Sequence, residues 1–98
     1  MTSIRIGTIH GRVDVEAEVF GPLAIHPTPE GLWGVTHVRT GRSVARRDSR
    51  EEALALVGRL LPLADWSRLD GRAVRLDHEP TLTDEQRRQI RAVVEEWV

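Results

Sequence analysis

The sequence predicts an α+β domain: an antiparallel sheet of about five strands, a meander of hairpins, covered by two late helices. Three observations carry this. Short stretches of alternating apolar and polar residues, separated by turn residues, fill the first half of the chain. Two stretches with apolar residues at helical spacing, each opened by a capping signal, come only after Asp48. Strands first and helices after, joined by tight turns, is the α+β pattern. With 98 residues and 40% apolar composition the chain makes one domain, residues 1–98, around one modest core.

The elements follow in order. "SIRIGTIHGRVDVEAEVF" (3–20) reads as a hairpin about a two-residue turn at His10-Gly11. A type I′ turn needs positive φ at both central positions, which Gly accepts freely and His better than most. That turn sets Ile4 against Ala17 and Ile6 against Val15 on one face, and Arg5 against Glu16 on the other. Gly21-Pro22 breaks the strand, "LAIH" (23–26) resumes it, and "LWGVTHV" (32–38) follows with Trp33, Val35 and His37 on one face. Thr40-Gly41 turns the chain into "RSVAR" (42–46), in a register the spacing leaves open.

The first helix opens on Ser49 as N-cap, with Glu52 completing a capping box. Ala53, Leu54, Val57, Leu60 and Leu61 form its apolar stripe, and Pro62 marks its end. Trp66, in the connector, is expected to plug that end against the sheet. Asp70-Gly71 is a turn candidate and "AVRL" (73–76) a short strand candidate. Thr83 caps the second helix with Gln86 at the reciprocal position, and Ile90, Val93, Val94 and Trp97 form its stripe. Asp84 with Arg88, and Arg91 with Glu95, are its expected i,i+4 pairs.

Composition narrows the function classes. No apolar run approaches the roughly 18 residues that span a bilayer, and no basic-then-apolar leader opens the chain. The absence of cysteine excludes disulfides and thiolate zinc sites and fits a reducing, cytoplasmic setting. His10, His26, His37 and His78 match no metal-ligand spacing, so neither metal nor cofactor is expected. There is no nucleophile elbow, P-loop or dinucleotide fingerprint. A Ser43, His37 and Asp48 triad can be drawn, but nothing in its spacing supports it, and the expectation is a protein without catalytic activity.

Charge is segregated. Residues 39–50, "RTGRSVARRDSR", carry Arg39, Arg42, Arg46, Arg47 and Arg50 against the single acid Asp48, in a chain of net charge −1. Such a cluster on a hairpin can grip phosphates or an acidic partner. All 14 basic residues are Arg, which points to a genome-wide bias and lowers the weight of any one of them. Period two places Arg42 and Arg46 on one face with Arg47 opposite, so the five do not all converge. Asp14, Glu16 and Glu18 line one face of the second strand, an acidic stripe able to imitate a phosphate backbone, partly offset by Arg5.

"LWGVTHVRTGRSVAR" followed by the capped helix "SREEALALVGRLLPLADW" resembles a W-x-V-T-H-x-x-T-G pattern in small proteins of phages, prophages and mobile elements from GC-rich bacteria. The resemblance spans about 35 residues. It implies a small accessory gene product, a setting in which host-directed inhibitors such as anti-CRISPR proteins are common, and it transfers no functional residues. The expectation is therefore a small interaction module binding a protein partner, with a nucleic-acid-binding accessory protein as the alternative. The protein is expected to be a monomer with Trp97 packed on its own sheet, homodimerisation through Trp97 being the alternative.

Overall fold

The computed structural model describes residues 2–8, 11–66 and 82–95. His10, His78, Trp97, the Asp70-Gly71 turn and the strand expected at 73–76 lie outside the described residues. Five strands form one antiparallel sheet in the order of the chain: β1 (Thr2–Thr8), β2 (Gly11–Phe20), β3 (Leu23–Pro27), β4 (Trp33–His37) and β5 (Ser43–Arg47). Helix α1 (Arg50–Leu60) runs into a 3₁₀ turn at Leu61–Leu63, and α2 (Asp84–Glu95) comes last. The α+β meander expected from the pattern is the observed fold.

Register in the first hairpin differs from the expectation. Ile4 pairs with Val15, Ile6 with Val13 and Arg5 with Asp14, and pairing ends at Thr8–Gly11. Gly11 thus closes the ladder, at φ 104, as a paired strand residue. A slip of two residues leaves every side chain on its expected face, because alternation repeats every two positions. Alternation alone reads the face and not the partner, so Arg5 meets Asp14 at 3.4 Å instead of Glu16.

Two cores lie on opposite faces of the sheet. On one face Leu23, Ile25 and Val35 pack under Ala53, Leu56, Val57 and Leu60 of α1, joined by Trp66, Leu82 and Ile90. Both expected N-caps are made: Ser49 Oγ accepts from the Glu52 N–H at 3.2 Å, and in α2 the full box forms, Thr83 and Gln86 bonding reciprocally at 2.9 and 3.1 Å. Pro62 enters the 3₁₀ turn and stops α1 where the sequence says it must. α1 lies directly on β3, β4 and β5, whereas α2 packs on α1 and the 3₁₀ turn as a second tier. In α2 Asp84 pairs with Arg87 and Glu85 with Arg88, each one residue closer than the expected Asp84–Arg88 spacing.

The other face carries Ile4, Ala17 and Ala24, with Ile6, Val15 and Val38 packed around them. No helix covers this side among the described residues; the first hairpin does. β2 pairs with β1 through Ala17 and with β3 only from Glu18 onward, so the hairpin is free to curl over the sheet. Alanines at the corner let the layers approach closely. The curl closes where Gly7 N–H donates to the Gly41 carbonyl at 3.0 Å, tying β1 to the turn between β4 and β5.

Candidate binding surface

The five arginines go to different places. A bulge in the β4–β5 ladder shifts the partner of Val35 and Thr36 from Ala45 to Ser43, leaving Val44 as the extra residue. Arg42 and Arg46 are then no longer whole repeats apart, and the shared face expected for them is broken. Arg46 pairs with Gly34 and is exposed. Its charge helps hold the Glu30 carboxyl below the usual carboxylate range, after the larger effects of the Glu30 backbone N–H and the Thr28 hydroxyl. Arg42 precedes β5 and gives its carbonyl to the His37 N–H at 2.9 Å. Arg39 is exposed in the β4–β5 turn.

The remaining two arginines are structural. Arg47 donates to the Arg46 carbonyl and to the Val94 carbonyl of α2, both at 2.6 Å. Arg50 holds Glu18 in a two-pronged ion pair, with Nε to Oε2 at 2.6 Å and Nη2 to Oε1. This pair joins the expected basic cluster to the expected acidic stripe. Asp14 faces Arg5, so of Asp14, Glu16 and Glu18 two have cationic neighbours. Neither cluster is a uniform charged surface.

The Glu18 carboxyl is held below its ordinary range, first by the hydrogen bond from Arg50, with burial opposing and the Arg50 charge adding. A lowered folded-state pKa stabilises the fold above the unfolded value of about 4.3 and is lost as pH falls through the folded value. Glu18→Gln is therefore expected to be less stable than the parent at pH 7, with the gap narrowing as pH falls below the unfolded value. Urea melts on either side of that value check it; a gap of constant size would mean the pair acts through packing alone.

Two histidines are built into the cores. His37 is fully buried. Its Nε2 lies 2.6 Å from the Trp66 carbonyl, which can only accept, so Nε2 carries the proton and Nδ1 accepts from the Thr40 hydroxyl at 2.8 Å. With both ring nitrogens so engaged, the Ser43, His37 and Asp48 arrangement is not assembled. His26 takes the other tautomer: Nδ1 donates to the Pro27 carbonyl at 3.2 Å and Nε2 accepts from Thr36 at 2.8 Å. Its ring lies over Gly34, where a Cβ would sit 3.0 Å from Cε1. Among the described residues no three His, Asp or Glu side chains gather as a metal site.

A cleft of about 520 Å³ opens beside His37, between the β2–β3 turn, the end of β4 and the segment after α1. Pro22, Val38, Leu61, Ala64 and Trp66 give it apolar walls, and the exposed Arg39 and Asp65 line it as well. Its floor is buried and hydrogen-bonded: Trp66 is 1% exposed, its indole Nε1 donates to the Leu60 carbonyl at 2.9 Å, and its ring lies 6.3 Å from that of His37. The role expected of Trp66, a plug at the end of α1, is the one it has. Sequence reading misses the cleft because its walls come from three separated segments; Arg39 is the one expected site residue that lines it. No helix among the described residues is long and apolar enough to cross a membrane. No family model, curated protein or solved structure matches the chain.

Proposed function

We propose that the chain is a non-enzymatic interaction module that receives an apolar side chain of a protein partner in the cleft beside His37 and Trp66. The observation that carries this reading is the cleft itself, apolar in its walls, buried and hydrogen-bonded in its floor and lined by one charge of each sign. Its volume lies in the range of small-ligand sites, roughly 300–1,000 Å³, and exceeds one aromatic side chain. An anchor residue in a fully desolvated pocket with polar groups around it is the usual centre of a protein interface. The scattering of the arginines favours this reading over a phosphate grip, which needs them along one path. A cysteine-free cytoplasmic protein suits it, and the Trp33-to-Gly41 pattern adds the setting of a mobile-element accessory protein, such as an inhibitor of a host enzyme.

Amide and indole spectra of the ¹⁵N-labelled protein test it. Short peptides with a central Phe, Leu or Ser, and separately a DNA duplex at low salt, serve as probes. The Phe and Leu peptides are expected to move Arg39, Leu61, Ala64 and the Trp66 indole, and Ala64→Arg to abolish the effect without lowering the melting temperature. Tighter binding of the duplex, lost steeply with salt and on replacing Arg39, Arg42 and Arg46, would establish the nucleic-acid reading instead.

A further inference from the structure

We propose that α2 is a strap that opens and closes on the body of the domain as one unit, latched by Arg47. α1 buries Ala53, Leu56, Val57 and Leu60, whereas α2, one residue longer, buries Ile90 alone among its described residues, with Val93 and Val94 packed at the edge. Among its described residues little apolar area holds it down, and low-burial elements are those that open first. Local bonds keep it helical: the Thr83–Gln86 box closes its first turn, and its ion pairs lie on exposed faces.

The far end of the helix is fastened differently. The last carbonyls of a helix have no partner within it, and a cation beside them is favoured by the helix dipole. Val94 offers such a carbonyl, and Arg47 takes it with Nη2 while Nη1 holds the backbone of β5. One guanidinium thus bridges strand and helix across 47 positions of sequence. The latch is incomplete, because the Arg47 Nε is buried with no hydrogen-bond partner among the described residues. Burial also works against the charged form of the side chain. Opening returns both the Nε donor and the charge to water, so release recovers part of what the contact loses. The 3₁₀ turn that α2 rests on contributes Leu61 to the cleft wall, so the strap also backs the binding surface; this last link rests on the function proposed above, and the strap itself does not.

Hydrogen exchange on the whole chain, read at low denaturant without any ligand, tests the strap separately from the cleft. In the parent, α2 amides are expected to exchange faster than those of α1, through an opening that leaves β3, β4 and α1 protected. Arg47→Met is expected to speed α2 exchange about tenfold or more, the size of one lost charge-assisted hydrogen bond, and to leave β3, β4 and α1 unchanged. Ile90→Ala, which removes apolar burial instead, is expected to do the same. A common rate for α1 and α2 in the parent would overturn the proposal. So would an Arg47→Met variant whose α2 exchange is unchanged, or variants in which every segment speeds equally.

Discussion

Replacing Trp66 by alanine is expected to destabilise the domain by about 3–5 kcal/mol, the range for deleting a large aromatic from a packed core. Trp66 is 1% exposed and is the largest fully buried side chain among the described residues. It joins three elements at once: its ring packs in the main core near His37, its indole N–H donates to a carbonyl in the last turn of α1, and its own carbonyl accepts a hydrogen bond from His37 Nε2. Alanine removes the first two. The whole stability of a small domain is about 5–15 kcal/mol, so this variant will stand close to unfolding. Trp66→Phe separates the contributions. It keeps most of the apolar bulk and deletes the indole donor, while the Leu60 carbonyl keeps its place as N-cap of the 3₁₀ turn, so the expected loss is that of one hydrogen bond, about 0.5–1.5 kcal/mol. Urea unfolding of the three proteins gives the comparison; a loss below about 1 kcal/mol for the alanine variant would show that the site collapses and that Trp66 does not anchor α1.

What was legible in the sequence is what depends on near neighbours. The capping residues Ser49 and Thr83, the stop at Pro62 and the strand faces of Trp33, Val35 and His37 are written within a few positions of where they act. Trp66 belongs with them, since its bond to Leu60 spans six residues. Features that join distant segments were hidden. Nothing local to Glu18 names Arg50, 32 positions on, and nothing around Arg47 names Val94. The bulge at Val44 was equally silent, because a ladder with one extra residue has the same composition as one without. That single insertion parts Arg42 from Arg46 and undoes the one shared face the arginines were expected to have. The curl of the first hairpin follows from a change of partner along β2, a property of three strands together.

Gly41→Ala is expected to test that curl. Gly41 has φ +72, a left-handed conformation that costs any other residue about 1–2 kcal/mol. A Cβ there would also stand 2.9 Å from the Arg5 carbonyl and 3.3 Å from the Gly7 nitrogen, both backbone atoms that no side-chain rotation can move. β1 must therefore retreat, and the Gly7–Gly41 hydrogen bond goes with it, adding about 1 kcal/mol. The summed loss is about 2–3 kcal/mol. Gly21→Ala supplies the control. Its φ of +64 is nearly the same, but a Cβ at that position would meet nothing within 4 Å, so it carries the conformational cost alone. Thermal melts of both variants should place Gly41→Ala below Gly21→Ala, and amide exchange should show the extra loss in β1 and at Ile4 and Ile6. Equal losses in the two variants would mean that β1 does not close on the β4–β5 turn, and that the second core under Ala17 and Ala24 is held by β2 alone.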